Sequence, residues 1–154
     1  MKIYIINLST AIERRQFQKK QLSGLGLDYE ILKATSIYDI SDKTYAKHFK
    51  DWQRPLRNTE VACYFSHRSA WQKVIDTNNP TLILEDDALL SKCVPELLKS
   101  FTNKQNVDLI NLEVAGRKKF ISNIGENITC NSKLFRLYQD RTGAAGYILW
   151  PSGA

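Results

Sequence analysis

The sequence contains no apolar run long enough to cross a bilayer. The short apolar stretch after Met1 also lacks the length and the cleavage site of a secretory signal. We therefore expect a cytoplasmic protein. Its three cysteines, Cys63, Cys93 and Cys130, are odd in number and far apart. In a cytosolic protein such cysteines are expected to be free thiols rather than a disulfide framework.

Patterns typical of nucleic-acid binding are also missing: no helix-turn-helix, zinc-finger or RNP-type motif is present. Basic residues nevertheless exceed acidic ones, 22 to 16, which gives a formal net charge of +6. Such a balance favours anionic partners such as nucleotides or phosphorylated lipids. We expect a nucleotide-type partner and no nucleic acid.

Strand-like and helix-like segments alternate along the 154 residues. A capping box at Thr10 to Glu13 predicts a helix that runs to the glycines at 24 and 26, and residues 36–58 are predicted as loop or short helices. The alternation indicates one α/β domain over 1–154, with a mostly parallel central sheet flanked by helices. The other predicted helices are 58–76 and 95–101, and the predicted strands are 2–8, 29–34, 81–84, 107–112, 134–138 and 146–150.

Three consecutive carboxylates, Glu85, Asp86 and Asp87, follow the apolar triplet at residues 82–84. A buried strand cannot hold three adjacent acids, because an unpaired buried charge is too costly. The strand is therefore expected to end here, with the acids in a crevice at its carboxyl edge. Such oxygen ligands suit Mn²⁺ or Mg²⁺, which in turn could hold a nucleotide diphosphate. The alternative is an acidic loop start that only solvates the strand end.

Polar residues lie at the ends of two other predicted strands: Asn7 near the end of residues 2–8, and Glu113 directly after residues 107–112. Ligands of parallel α/β sheets bind at the carboxyl ends of the strands. We therefore expect Asn7, Glu113 and the three acids to lie at one edge.

Four blocks of residues together span nearly all the sequence. The blocks are Ile6-Asn7-Leu8 with Glu13-Arg14-Arg15; Glu60-Val-Ala-Cys63-Tyr-Phe-Ser66-His67; Leu82-Ile-Leu-Glu-Asp-Asp-Ala88; and Gly143-Ala-Ala-Gly146-Tyr147-Ile148 followed by Ser152-Gly153-Ala154. In the same order, they resemble the signatures of glycosyltransferase family 25, the lipopolysaccharide-type glycosyltransferases.

The resemblance implies a GT-A-like fold and transfer of a hexose, galactose from UDP-galactose, onto a lipooligosaccharide acceptor with Mn²⁺ or Mg²⁺ at the acidic motif. Such an acceptor would place the protein at the inner face of the membrane, as a peripheral contact. The chain departs from the family pattern at Ser9-Thr10, and family members continue beyond the last block. We therefore expect a form truncated at its carboxyl end; the alternative is a short variant of the family. The alternative function is an inactive fragment that binds nucleotide sugars.

Roles for the acids follow from their spacing and the expected chemistry. Glu85 and Asp87 are two apart and would share a side of an extended segment. We expect Asp87 to contact the cation directly, with Glu85 as its companion ligand, and Glu85 or Asp86 to contact ribose or sugar hydroxyls. Glu113 is the expected catalytic base, and Asp140 is the second candidate. The base could also lie in the segment beyond this chain.

Four further residues are candidate substrate contacts, each with a structural alternative. Asn7 contacts uracil or ribose, or caps its strand. Arg14 pairs with the diphosphate in fork geometry, or is a solvated helix residue. Arg15, about 100° further round the helix, is not expected to serve the same ligand. Ser66 and His67 lie beside the nucleotide pocket, or support the acidic segment (residues 85–87).

Overall fold

The computed structural model describes residues 1–114, 116, 118–140 and 143–154. Two short 3₁₀ turns, Ile37–Asp39 and Pro151–Gly153, accompany the main elements. In chain order these are β1 (Lys2–Asn7), α1 (Ile12–Gly24), β2 (Glu30–Lys33), α2 (Asp42–His48), α3 (Asn58–Thr77), β3 (Thr81–Glu85), α4 (Val94–Phe101), β4 (Leu109–Asn111), β5 (Phe120–Asn127), β6 (Lys133–Gln139) and β7 (Gly146–Leu149).

The central sheet has five strands in the order β2-β1-β3-β7-β4. Strand β1 pairs in parallel with β2 and β3, whereas β7 is antiparallel to both of its neighbours, β3 and β4. The fold is thus α/β with a mixed sheet, and the expected mostly parallel sheet is not confirmed. A parallel return needs a long crossover, usually a helix. In the described residues between β4 and β7 only two strands are found.

Helices cover both faces of this sheet. On one face, Ile5, Leu84 and Ile148 pack in a cluster that includes Leu22 of α1 and Leu98 of α4. The alternate residues face the other way: Tyr4, Ile83 and Tyr147 pack with Ala70 and Val74 of α3. Successive side chains of a strand point to opposite faces, so each strand supplies both layers of the core. The two layers explain why β1 and β3 read as continuous apolar runs.

Helix α1 begins later than predicted. Ala11 is its N-cap and no side chain caps the start, so the expected capping box at Thr10 to Glu13 is wrong. The chain leaves β1 through a turn in which Ala11 N donates to Leu8 O at 2.9 Å. The predicted stop is confirmed, since Gly26 takes a φ of +65°. This left-handed residue lets Leu27 N donate back to Leu22 O at 3.0 Å.

Strands β5 and β6 form a separate antiparallel pair. Residues 134–138 were predicted as a strand, whereas β5 was not predicted. Its sequence contains Ser122, Asn123 and Gly125, which are poor strand formers. The ribbon leaves Phe120 and Ile124 exposed, which is unusual for large apolar side chains of a strand.

All three cysteines are free thiols, as expected. Cys63 lies on α3, Cys93 directly precedes α4, and Cys130 lies in the turn between β5 and β6. None of the helices within the described ranges is both long enough and apolar enough to cross a membrane.

Leu84→Ala should lower the free energy of unfolding by about 2–5 kcal/mol, because it removes a fully buried side chain and leaves a cavity. Leu84 is 0% exposed and pairs with Ile5 of the neighbouring strand β1. Urea denaturation measures the change. Leu89→Ala is the matched control, since Leu89 is 81% exposed and its truncation should have little effect. Equal stability losses in both variants would contradict the assigned core.

Candidate functional site

The three acids do not point the same way. Leu84 faces α1 and α4, so the alternation of β3 directs Glu85, its last residue, toward α3. The chain then turns, with Ala88 N donating to Glu85 O at 3.2 Å. Asp86 is consequently directed toward α1, where it is 7% exposed. One strand end therefore supplies a carboxylate to each face of the sheet.

Asp86 and Asn7 form a buried hydrogen-bonded pair that joins the ends of β3 and β1. Asn7, only 1% exposed, donates from Nδ2 to Asp86 Oδ2 at 2.7 Å. Arg14 Nη1 donates to Asp86 Oδ1 at 2.9 Å, and Arg15 Nε donates to Asn7 Oδ1 at 3.0 Å. The charge of Asp86 is thus compensated, as a buried carboxylate requires. Asn7 has the contacts expected of a strand-end cap.

The two arginines therefore lie closer to one site than their helical spacing indicated. Arg14 and Arg15 hold the same Asn7–Asp86 pair, from its two ends. Arg14 remains 58% exposed at its side chain, so part of its guanidinium faces the open edge of the sheet. Both arginines thus reach the same Asn7–Asp86 pair, and the expectation that they do not serve one ligand stays a prediction.

Asp87 is the outermost of the acids, with a side chain 54% exposed and its Oδ2 3.3 Å from Arg14 Nη1. It was expected to share a side with Glu85. Instead, Asp87 contacts α1 and Glu85 contacts α3, because the turn after Glu85 ends the extended alternation. The two carboxylates thus have different neighbours.

Glu85 is held by two residues one turn apart on α3. His67 Nε2 lies 3.1 Å from Glu85 Oε1, and Cys63 Sγ donates to the same oxygen at 3.7 Å. The hydrogen bond from His67 lowers the pKa of Glu85, against the opposing effect of burial. Burial, and then the charge of Glu85, raises the pKa of Cys63 to about 11. Glu85 is therefore an anion beside a neutral thiol at neutral pH.

Tyr147 fixes the ring of His67 from the opposite side. Its hydroxyl lies 2.8 Å from His67 Nδ1 and accepts a hydrogen bond from Trp71 Nε1, also at 2.8 Å. Burial raises the pKa of the Tyr147 phenol, which stays neutral. His67 is only 4% exposed, so its contacts are those of the predicted alternative, support of the acidic segment.

Ser66 lies away from the acids. Its hydroxyl donates to Ala62 O at 2.9 Å and accepts from Thr35 N at 2.8 Å. These bonds tie α3 to the segment after β2. Ser66 is 5% exposed, and its two hydrogen bonds are structural.

Glu113 is connected to the acidic segment by two hydrogen bonds that Ala145 makes. Its Oε2 accepts from Ala145 N at 3.2 Å, and Ala145 O accepts from Glu85 N at 2.9 Å. Gly143, with a φ of +112°, lies directly against the Glu113 carboxylate, which a Cβ would overlap. Asp140 is engaged elsewhere, because its Oδ2 lies 2.8 Å from Lys119 Nζ and 2.8 Å from Asn111 Nδ2.

Two glutamines that were not predicted hold the segment after the acids. Gln18 is fully buried and its Nε2 donates to Asp86 O at 3.2 Å and to Ala88 O at 2.8 Å. Gln21 Nε2 donates to Ala88 O at 3.1 Å, and its Oε1 accepts from Leu90 N at 2.8 Å. Arg14, Gln18 and Gln21 are spaced i, i+4, i+7, one helix face. This polar stripe is the sequence feature that could have predicted the contacts of α1 with the segment after the acids.

The carboxylates at this edge are of the chemical type that binds a hard divalent cation, although Asp87 contacts α1 and Glu85 contacts α3. Carboxylate oxygens are the preferred ligands of Mn²⁺ and Mg²⁺. Asp87 is half exposed, and Glu85 Oε2 accepts no hydrogen bond within the described part of the chain. Asp86 fits less well, because both of its oxygens are already bound by Asn7 and Arg14.

A cavity of about 620 Å³ lies at the opposite, amino-terminal edge of the strands. It is lined by residues that include Lys2, Tyr29 and Pro80 and by none of the predicted site residues.

The chain is similar to known proteins that are named for sugar transfer or for lipooligosaccharide biosynthesis. The chain is 35% identical to a glycosyltransferase 25 family member of Anopheles gambiae over 97 residues, covering 55% of this chain and 16% of the relative. It is 27% identical over 168 residues to the lipooligosaccharide biosynthesis protein lic2B of Haemophilus influenzae, covering 95% and 58%. It is 26% identical over 132 residues to procollagen galactosyltransferase 1-A of Xenopus laevis, covering 76% and 21%.

The chain thus spans little more than half the length of the bacterial relative and about a fifth or less of the animal ones. The family profile described as glycosyltransferase family 25 (LPS biosynthesis protein) matches residues 1–154. The match covers the whole sequence, including the acidic edge and the segment around Ala145. The chain belongs to glycosyltransferase family 25.

Proposed function

We propose that this chain is the nucleotide-sugar domain, GT-A-like in architecture, of a metal-dependent glycosyltransferase. It moves a hexose, galactose from UDP-galactose, onto a lipooligosaccharide acceptor. The observation that carries the proposal is the placement of Glu85, Asp86 and Asp87 at the carboxyl edge of β3, next to Asn7 at the end of its parallel neighbour β1. Ligands of α/β sheets bind at such edges.

Two relatives support the substrate classes. One is named for lipooligosaccharide biosynthesis and another for galactosyl transfer. The excess of basic residues suits both an anionic donor and an acceptor anchored among anionic headgroups at the inner face of a membrane.

The proposed donor site would stabilise the negative charge that builds on the leaving diphosphate by placing positive charge beside it. Asp87 and Glu85 are the residues that would hold Mn²⁺ or Mg²⁺, which supplies a fixed positive charge to the diphosphate when bound. Arg14 adds a second positive group, and its half-exposed guanidinium matches phosphate oxygens in fork geometry. Asp86 keeps Arg14 oriented toward the edge through the bond from Nη1.

The acceptor hydroxyl must lose a proton during transfer, which requires a base beside it. Glu113 is our candidate, because Ala145 connects it to the acidic segment: Ala145 N donates to Glu113 Oε2, and Ala145 O accepts from Glu85 N. Asp140 is less suited, since Lys119 holds its carboxylate.

A thermal-shift titration with UDP tests the donor site. UDP with Mn²⁺ should raise the melting temperature by several degrees, because saturation to about 100 times Kd stabilises the folded state by roughly 2.7 kcal/mol. UDP without the cation should give a much smaller shift. ADP with Mn²⁺ is the matched control for base recognition. No shift with UDP and Mn²⁺ would contradict the proposal.

A transfer assay separates the enzyme from the alternative. Purified protein is incubated with UDP-galactose, Mn²⁺ and a lipooligosaccharide acceptor, and product is detected by mass. Transfer supports the enzyme. A UDP-dependent thermal shift without transfer indicates a nucleotide-sugar-binding fragment instead.

A further inference from the structure

Cys63, His67 and Glu85 form a cluster in which three kinds of metal-ligating atom converge. One thiol sulfur, one imidazole nitrogen and one carboxylate oxygen all lie within 4.8 Å of one another. Cys63 and His67 are four residues apart on α3 and therefore share a helix face. Glu85 approaches that face from the end of β3.

The separations match those of ligands around a small tetrahedral ion. Zinc bonds of about 2.0–2.3 Å at tetrahedral angles place ligand atoms roughly 3.3–3.7 Å apart. Cys63 Sγ lies 3.7 Å from Glu85 Oε1, and His67 Nε2 lies 3.1 Å from the same oxygen. The third pair, Cys63 Sγ and His67 Nε2, lies within 4.8 Å, so side-chain rotation would bring all three atoms to the separations that a bound ion requires.

The surroundings of His67 are those of a metal ligand. A ligating imidazole usually carries a partner on its other ring nitrogen, which fixes the tautomer and the orientation of the ring. Tyr147 supplies that partner at Nδ1, 2.8 Å away, and Trp71 fixes Tyr147 in turn. Nε2 is thereby aimed at Glu85 and Cys63. On binding, the thiol loses its proton, and one thiolate and one carboxylate balance the two charges of the ion.

We propose that Cys63, His67 and Glu85 bind Zn²⁺, with three protein ligands and a fourth position open on the exposed side of Cys63. A thiolate ligand selects Zn²⁺ over Mn²⁺ or Mg²⁺, which prefer oxygen. The site shares Glu85 with the proposed cation site at Asp87, but its other ligands and its ion are different. A bound Zn²⁺ would link α3 to the acidic segment whether or not a nucleotide is bound.

Cobalt substitution tests the site. Chelator-treated protein is titrated with Co²⁺ and the thiolate-to-cobalt charge-transfer absorption is recorded, followed by Zn²⁺ competition against a chromophoric chelator. We expect one Co²⁺ per chain with this band in wild type and in Cys93→Ser, and no band in Cys63→Ser. Zn²⁺ affinity should fall by about 100-fold or more in Cys63→Ser, since the loss of even an outer partner costs about 10–100-fold.

Peptide-level alkylation gives a second test in the unaltered protein. Zn²⁺ should slow the alkylation of Cys63 by iodoacetamide and leave the alkylation rates of Cys93 and Cys130 unchanged. A charge-transfer band that survives in Cys63→Ser, or no Zn²⁺ protection of Cys63, would overturn the proposal. The thermal shift with UDP and Mn²⁺ should persist in Cys63→Ser, because Asp87 is untouched. Loss of Zn²⁺ binding and loss of nucleotide binding are therefore separate results.

Discussion

Asp87→Asn should reduce sugar transfer by about 100-fold or more while the protein keeps its fold. The substitution removes one negative charge from the outermost ligand of the proposed cation. Loss of a preorganised group that stabilises the leaving group commonly slows a reaction by about this factor. Folding should change little, because the Asp87 side chain is 54% exposed and its pair with Arg14 lies at the surface. Initial rates over a Mn²⁺ titration measure the effect.

Asp28→Asn is the matched control for this variant. Asp28 is exposed and lines the cavity at the opposite edge of the sheet, so the same charge is removed far from the acids. Its transfer rate should equal that of wild type. Wild-type turnover with unchanged Mn²⁺ dependence in Asp87→Asn would remove Asp87 from the metal site.

The strands that carry the acidic edge could be predicted because they are buried on both faces. Residues 2–8 and 81–84 were predicted as strands, and the structure has Lys2–Asn7 and Thr81–Glu85. Continuous apolar runs of this length are typical of such strands. The meeting of Asn7 with Asp86 was also foreseeable, because parallel neighbours end at the same edge.

Strand direction was not predictable from the same pattern. Residues 146–150 read as a strand, but an apolar run looks the same in either direction, and β7 proved antiparallel to β3. The division of the acids between two faces was missed for a related reason. It depends on where the extended chain stops, and the turn that begins at Glu85 is set by contacts with distant residues, among them Gln18 and Ala145.

Contacts between side chains were the least predictable part of the site. His67 and Ser66 are adjacent in sequence, yet one contacts Glu85 and the other contacts Thr35 N. Helical geometry separates them by about 100°. Which of the two faces the acids depends on how α3 packs on the sheet, through residues such as Val74. A sequence pattern does not fix that rotation.

Glu113→Gln should reduce transfer by roughly 10²–10⁴-fold, the range associated with loss of a general base. The amide retains an oxygen that can accept the Ala145 N–H, now 3.2 Å from Glu113 Oε2, so the loop at β7 should stay in place. The proton-accepting carboxylate is lost. The thermal shift with UDP and Mn²⁺ should therefore match wild type, whereas the rate of transfer falls.

Asp140→Asn is the natural comparison, because Asp140 was the second candidate for the base. Its carboxylate is bound by Lys119 and Asn111, so the substitution should alter local packing and leave transfer near the wild-type rate. Near-normal transfer in Glu113→Gln would eliminate Glu113. If transfer were lost in Asp140→Asn and kept in Glu113→Gln, the base would be Asp140, and the ion pair with Lys119 would have to open when the acceptor binds.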